Sequence, residues 1–227
     1  MSRAIALGLG LLLGGSGLAG QTGGAAAPAE PARVTFSRSF QGSQPAFFQI
    51  EVYQDGRASY RGKDLDADPL VRLRFTASPA AVRRIFGNAA ALDDFNGRKL
   101  QSKLQVAYTG DKLLAFDDAT RHGSQAFTYT RVPAAAALVS LFEKIATTGE
   151  DALLLQRAVQ YQPLDVLDRM NQIQSDWDGG QMAEPQLLAP VLRAMIANPA
   201  VMDSARHRGE KLLRAFAEKP RRGGGGG

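Results

Sequence analysis

The sequence predicts an α+β protein in which an antiparallel sheet is covered by two helices and followed by an all-helical C-terminal region. Three observations lead to this fold class. Short segments before Pro133 alternate apolar and polar residues, which is the period of a half-buried strand. Two amphipathic stretches, one within that series and one after it, have the apolar spacing of surface helices. After Glu150 the strand pattern stops and only helical spacing remains.

Four strands are predicted in succession at the start of the sheet. Gly42 and Pro45 shape a tight turn before the second strand. Asp55-Gly56 marks a hairpin between the second and third strands, because both turn positions of such a hairpin have to accept positive φ. The alternating apolar positions are Val34 and Phe36, then Phe48, Ile50 and Val52, then Ala58 and Tyr60, and finally Val71, Leu73 and Phe75.

The first helix is predicted to begin at Ser78-Pro79, where serine suits the cap and proline suits the first helical position. A second hairpin turns at Gly110-Asp111, and one more strand contains Phe127 and Tyr129. Pro133 begins the second helix, which we expect to end near Gly149. The apolar residues of the second hairpin are Leu104, Val106 and Tyr108 on one arm and Leu114 and Phe116 on the other.

The chain is expected to divide into an α+β domain at residues 33–149 and a helical-hairpin region at residues 150–219. Gly149-Glu150-Asp151 offers a helix stop followed by acidic residues suited to the start of a new helix. Gln162-Pro163-Leu164 and Asn198-Pro199-Ala200 lie about 36 residues apart, which resembles α-hairpins of HEAT-like or tetratricopeptide-like size. The alternative is one fused domain in which the later helices pack directly on the sheet.

The first 20 residues have the layout of a signal peptide. Arg3 precedes an apolar run from Ala4 to Leu13, and small residues near Ala19 suit cleavage. Residues 21–32 predict a flexible linker and residues 220–227 a disordered tail. We therefore expect a periplasmic or secreted protein with no transmembrane span after signal cleavage, and an uncleaved membrane anchor is the alternative.

The composition is that of a globular protein, with 44% hydrophobic and 22% charged residues among 227 and no cysteine. The lack of cysteine excludes disulfides, a thiolate nucleophile and cysteine metal sites. It also excludes a lipid anchor of the bacterial lipoprotein type, because that anchor is attached to a cysteine.

Three segments together form a recognisable pattern: Arg38-Ser39-Phe40-Gln41-Gly42-Ser43-Gln44-Pro45, then Ile50-Glu51-Val52-Tyr53-Gln54-Asp55-Gly56, then Tyr60-Arg61-Gly62. The pattern resembles an uncharacterised bacterial domain family of exported proteins, with a Gly-x-x-Pro turn, an Asp-Gly hairpin and a Tyr-x-Gly return. The resemblance covers roughly residues 33–147 and implies export but no particular activity. Members of that family often have cysteines beside the glycine turn. Phe40 and Gln44 occupy those positions here, so the resemblance implies no redox role.

Two acidic clusters are candidates for chemistry. Asp117, Asp118 and His122 lie within six residues and are able in principle to bind a divalent ion or form an acid–base pair, although an ordinary polar loop has the same composition. The alternate positions Asp64, Asp66 and Asp68 resemble the start of a calcium loop. The glycine and glutamate that such a loop requires are replaced by proline and phenylalanine, so a solvated loop is favoured.

A basic stretch between Ser204 and Arg222 contains seven Lys or Arg residues against two Glu. No set of aromatic residues suited to base stacking is interleaved with these charges, so we do not expect nucleic acid as a partner. A solvated helix face is the simplest interpretation. The alternative is a binding surface for a protein or an anionic envelope component, with Arg206, Arg208, Lys211 and Arg214 as the contact residues.

Because no complete catalytic set is present, the sequence favours a non-catalytic exported protein that binds another macromolecule and needs no cofactor. The alternative is a hydrolase or metal-dependent enzyme that uses Asp117, Asp118 and His122. A structural component of the cell envelope is a third possibility.

Overall fold

The computed structural model describes residues 30–63, 71–97 and 99–218. The predicted signal peptide, most of the predicted linker, the candidate calcium ligands Asp64, Asp66 and Asp68, and the predicted C-terminal tail lie outside these residues. Six strands form one antiparallel sheet in the order β4-β3-β2-β1-β5-β6. The strands are β1 (Arg33–Ser39), β2 (Phe47–Tyr53), β3 (Arg57–Lys63), β4 (Val71–Thr76), β5 (Asp111–Asp117) and β6 (His122–Phe127).

Five helices accompany the sheet in the described part of the chain, and the predicted α+β fold class is confirmed. The helices are α1 (Pro79–Ala90), α2 (Pro133–Tyr161), α3 (Val166–Asp178), α4 (Ala189–Ala197) and α5 (Asp203–Glu218). Helices α1 and α2 contact the apolar face of the sheet, where the rings of Phe36 and Phe142 stack with their centroids 5.3 Å apart. The opposite face is polar and includes Glu51, which forms salt bridges with Arg61 and Arg72.

Both predicted turns at the start of the sheet are present. Gly42 has a φ of +85°. The Ser43 hydroxyl is within hydrogen-bond distance of two carbonyl oxygens, that of Phe40 at 2.8 Å and that of Pro45 at 2.9 Å. At the Asp55-Gly56 hairpin only the glycine has a positive φ, +90°. The expectation that both positions adopt positive φ is therefore wrong. The loop has three residues, a form that needs glycine only at its last position.

The N-terminus of α1 is capped as the sequence predicts. The Ser78 hydroxyl accepts a hydrogen bond of 3.1 Å from the backbone N–H of Ala81, and Pro79 occupies the first turn. The carboxylate of Glu184 in turn accepts from the backbone N–H of Ser78 at 2.6 Å and from its hydroxyl at 2.8 Å. Because Glu184 lies just before α4, this buried contact connects the C-terminal region to the end of the sheet.

The predicted strand at Leu104–Tyr108 is absent. Residues 103–109 have no regular secondary structure, and β5 pairs with β1 and β6 instead of forming a hairpin with this segment. Strand β6 also begins and ends earlier than expected, at His122 and Phe127. Strand β1 lies inside the sheet, with β2 on one side. Strand β5 pairs with the other side of β1, and it therefore does not pair with residues 103–109.

The predicted helix end at Gly149 is wrong, because α2 continues through this residue to Tyr161. Gly149 packs directly on the ring of Tyr60 in β3, and a Cβ atom at this position would lie 2.7 Å from Tyr60 Cγ. Glycine therefore allows the helix to approach the sheet closely. The predicted domain boundary falls inside one continuous helix.

The helical C-terminal region is confirmed and shares one hydrophobic core with the sheet. The rings of Trp177 in α3 and Phe216 in α5 meet edge to face, with their centroids 4.7 Å apart. Pro163 and Pro185 each begin a short 3₁₀ turn that precedes α3 and α4. Within the described residues, no helix is both long and apolar enough to span a membrane.

Candidate functional site

The first predicted site residues, Asp117 and His122, face each other across the end of the β5–β6 hairpin. Asp117 Oδ1 lies 3.0 Å from His122 Nδ1, and Arg33 donates a 3.1 Å hydrogen bond to Asp117 Oδ2. Partial burial by itself would raise the pKa of Asp117. The hydrogen bonds from His122 and Arg33 outweigh that effect and lower the pKa below its ordinary value. Asp117 is thus an ionised partner of an arginine from the neighbouring strand.

Asp118 belongs to a separate set of contacts in the tight turn between β5 and β6. Its Oδ1 accepts from the backbone N–H groups of Thr120 at 2.8 Å and Arg121 at 2.7 Å. These backbone hydrogen bonds, together with the Arg121 side chain, hold the pKa of Asp118 far below its ordinary value. Arg121 also forms a salt bridge with Asp94. Asp118 therefore has the role of a turn-forming aspartate.

The two carboxylates and the imidazole do not converge on one point. Asp117 binds Arg33 and Asp118 binds Arg121, so each carboxylate already has a cationic partner. Among the described residues, no three His, Asp or Glu side chains are arranged to hold a metal ion. The contacts of this cluster are those that stabilise a β-hairpin.

The predicted basic surface lies on α5, and half of it is engaged within the protein. Arg206 forms a salt bridge with Asp203, and Arg208 donates to Asn171 of α3. Lys211 and Arg214 are exposed on the solvent side of the helix. Of the four predicted contact residues, only these last two remain open to a partner.

A site that the sequence analysis missed lies between α2 and the Gly42–Pro45 turn. Here a pocket of about 230 Å³, which we call the α2 pocket, is lined by four charged side chains among others. The guanidinium of Arg38 lies 3.7 Å from the carboxylate of Glu143, and the Tyr60 hydroxyl donates a 3.2 Å hydrogen bond to Glu150. The four charged residues are Arg38, Glu143, Glu150 and Asp151.

Asp151 is the unusual member of the α2 pocket. The residue is 8% exposed, and its Oδ2 atom has no hydrogen-bond partner among the described residues. Burial first, and then the negative charges of Asp176 and Glu150, raise the pKa of Asp151 to about 7, while Arg169 opposes the shift. Buried carboxyl groups with such a shift are concentrated at functional sites.

One sequence signal for Asp151 exists once α2 is treated as a continuous helix. Thr148 and Leu155 are buried on α2, and Asp151 lies three residues after the first and four before the second, on the same side of the helix. The expected helix end at Gly149 concealed this relation, because it placed Asp151 in the solvated first turn of a new helix.

No protein-family model and no curated protein matches this chain.

Proposed function

We propose that this chain is a non-catalytic exported protein that binds another protein, in the periplasm or outside the cell, through the segment Lys103–Thr109. A single observation carries the proposal: a segment with the apolar alternation of a strand is exposed and has no strand partner among the described residues. Leu104, Val106 and Tyr108 are 53%, 45% and 53% exposed. Exposed apolar residues grouped in this way are typical of interaction surfaces.

The backbone of the segment is available for pairing. Between Gln105 and Tyr108, no main-chain N–H or C=O forms a hydrogen bond with another described residue. Unpaired main-chain groups next to alternating apolar side chains are what a protein offers when it pairs with a strand of its partner. Such pairing gains affinity from backbone hydrogen bonds and specificity from alternate side chains.

Both ends of the segment are fixed, which reduces the entropy that binding would cost. On one side, the backbone N–H of Ser102 donates a 2.8 Å hydrogen bond to the carbonyl of Tyr129. On the other side, the buried ammonium group of Lys112 donates to the carbonyl and hydroxyl of Thr109 at 3.1 Å and 2.8 Å. Tyr108 in addition packs edge to face on the ring of Phe40.

The partner that fits this segment is an extended apolar strand with acidic residues at one end. Lys99 and Lys103 lie exposed before the apolar positions, and neither forms an ion pair with another described residue. Complementary charges at the rim of an interface fix its register and speed association. The alternative of a hydrolase or metal enzyme gains no support from the geometry, since Asp117 and Asp118 each bind an arginine.

The test compares protein capture from an envelope extract by the wild type and by the double variant Leu104→Asp/Val106→Asp. Leu164→Asp is the matched control, because Leu164 is 85% exposed but lies outside the segment. The proposal requires a partner that the wild type and the control retain and the double variant loses. It also requires slower hydrogen exchange at amides 103–109 when the purified partner binds.

If the double variant still retains the partner, or if hydrogen-exchange protection is confined to another surface, the assignment of this segment is contradicted.

Export is tested independently by mass spectrometry of periplasmic material. A mature N-terminus between Gly20 and Pro28 is the expected result, and full-length chain in the cytosol is the contrary one.

A further inference from the structure

The α2 pocket contains features that strand binding at Lys103–Thr109 does not require. Its lining combines three carboxylates, those of Glu143, Glu150 and Asp151, with the single guanidinium of Arg38. The guanidinium of Arg38 lies 3.7 Å from the carboxylate of Glu143. Next to this ion pair lies a buried carboxyl oxygen, Asp151 Oδ2, that lacks a hydrogen-bond partner among the described residues.

We propose that the α2 pocket binds a compact organic cation, either an alkylammonium or a guanidinium group, with Asp151 as its buried acceptor. This inference does not depend on the proposed function. A donor cation would provide the hydrogen bond that Asp151 Oδ2 lacks, and charge-assisted hydrogen bonds of this kind are the strongest that side chains form. Removing a buried polar group from water without a partner is costly, so an unpaired acceptor at a pocket wall favours a ligand that pairs with it.

The size and walls of the pocket select the class of cation. Its volume of about 230 Å³ is below the range of roughly 300–1,000 Å³ that is usual for drug-sized ligands, so the pocket suits one head group with a short alkyl stem. Phe48, Pro45 and Ala146 provide apolar surface for such a stem. A hard divalent ion fits less well, because no three carboxylates or imidazoles in the described chain are grouped as metal ligands.

Binding is expected to be linked to the proton on Asp151. The pKa of this carboxyl is raised to about 7 by burial first and then by Asp176 of α3 and Glu150, whereas Arg169 of α3 lowers it. A bound cation stabilises the ionised form, so complex formation near neutral pH releases a proton. If only the ionised form binds, affinity should be about 10-fold higher at pH 8 than at pH 6.

The test is calorimetric titration of the full chain with n-butylguanidinium and n-butylamine, with neutral N-butylurea as the isosteric control. Binding of a charged probe should tighten about 10-fold from pH 6 to pH 8, and its heat should depend on the buffer as proton release requires. Asp151→Asn should abolish binding, whereas Asp168→Asn, a change at an exposed aspartate of α3, should not.

Two further arms complete the design. If N-acetyl-arginine methylamide binds as tightly as n-butylguanidinium, the cation is the side chain of a protein partner; if it is excluded while the small probes bind, the ligand is a free amine or guanidine. Carbon NMR of the wild type should show a lower pKa for Asp151 when the probe is present. Binding that persists in Asp151→Asn, or no Asp151-dependent binding up to about 10 mM probe, at which affinity is negligible, overturns the proposal.

Discussion

Replacing Asp151 by asparagine tests directly whether the folded protein raises the pKa of this carboxyl group in α2. The substitution keeps the shape of the side chain and removes the charge that the buried position disfavours. Asp151 is 8% exposed, and it lies among the charges of Glu150, Asp176 and Arg169. We therefore expect the variant to become more stable than the wild type as the pH rises.

The size of the effect follows from the pKa. The folded protein holds the Asp151 carboxyl at a pKa of about 7, against 3.8 for an unperturbed aspartate. A difference of about 3 pKa units corresponds to roughly 4 kcal/mol of unfavourable ionisation energy in the folded state. The asparagine amide is also buried without a full set of hydrogen bonds, which costs about 1–3 kcal/mol. The net stabilisation at pH 8 is then on the order of 2 kcal/mol.

The sign of the pH dependence is fixed by the direction of the shift. Since the pKa is higher in the folded state, the folded protein binds more protons than the unfolded chain between about pH 4 and pH 7. The contribution of Asp151 to the free energy of unfolding therefore falls as the pH rises through this window and is constant above it. The other titrating groups are shared by wild type and variant, so their contributions cancel in the difference.

The measurement is urea denaturation of wild type and Asp151→Asn at pH 5, 6, 7 and 8, with equal slopes as the condition for comparing free energies. The exposed Asp168→Asn variant serves as the control and should differ from the wild type by less than about 0.5 kcal/mol at every pH. A difference between Asp151→Asn and wild type that stays constant across this range, or a loss of stability at pH 8, would refute the raised pKa and its structural cause.

Three further outcomes follow from contacts between distant parts of the chain. Glu184→Ala should reduce the free energy of unfolding by about 2–3 kcal/mol in urea denaturation, because it removes the carboxylate that holds the cap of α1; an unchanged midpoint would contradict this. Gly149→Ala should cost about 1–3 kcal/mol because a new Cβ collides with the ring of Tyr60, whereas Gly87→Ala in α1, where no neighbour lies within 4 Å, should gain about 0.5–1 kcal/mol. Equal effects of the two glycine substitutions would refute the packing argument. Residues 33–149 expressed alone should lack a cooperative thermal transition, since the fragment ends in the middle of α2 and lacks the Glu184 contact; a sharp transition with strand-rich circular dichroism would support an independent domain.

Local patterns in the sequence determined much of the first half of the fold. The alternation of apolar residues through Ile50 and Tyr60 is a property of adjacent residues, and the cap at Ser78 depends on a hydrogen bond three residues away. Such signals are complete within a short window, so they do not depend on what the rest of the chain does. The four-strand start of the sheet, α1 and the presence of a helical C-terminal region were therefore predictable.

Contacts between distant residues decided the features that the sequence analysis got wrong or missed. Leu104–Tyr108 has the pattern of a strand, but β5 pairs with β1 across more than 70 positions of sequence (Arg33 with Asp117), and no local signal reports that choice. Glycine is common at helix ends, so Gly149 was expected to end the helix. In the fold it lies inside α2, where the absence of a side chain allows close contact with the ring of Tyr60. A glycine permits both roles, and only the proximity of a strand selects between them.

The candidate site depends on the same tertiary information. In the sequence, Asp151 is simply the second residue of the acidic pair Glu150-Asp151. It is buried because α2 is continuous and packs against both the sheet and α3. Asp117 and Asp118 were conspicuous by sequence, yet arginines from another strand and from the same turn bind them. Composition and periodicity thus determined most of the elements. Burial and long-range charge pairing depend on the folded arrangement, and they decided which carboxyl group is left without a hydrogen-bond partner among the described residues.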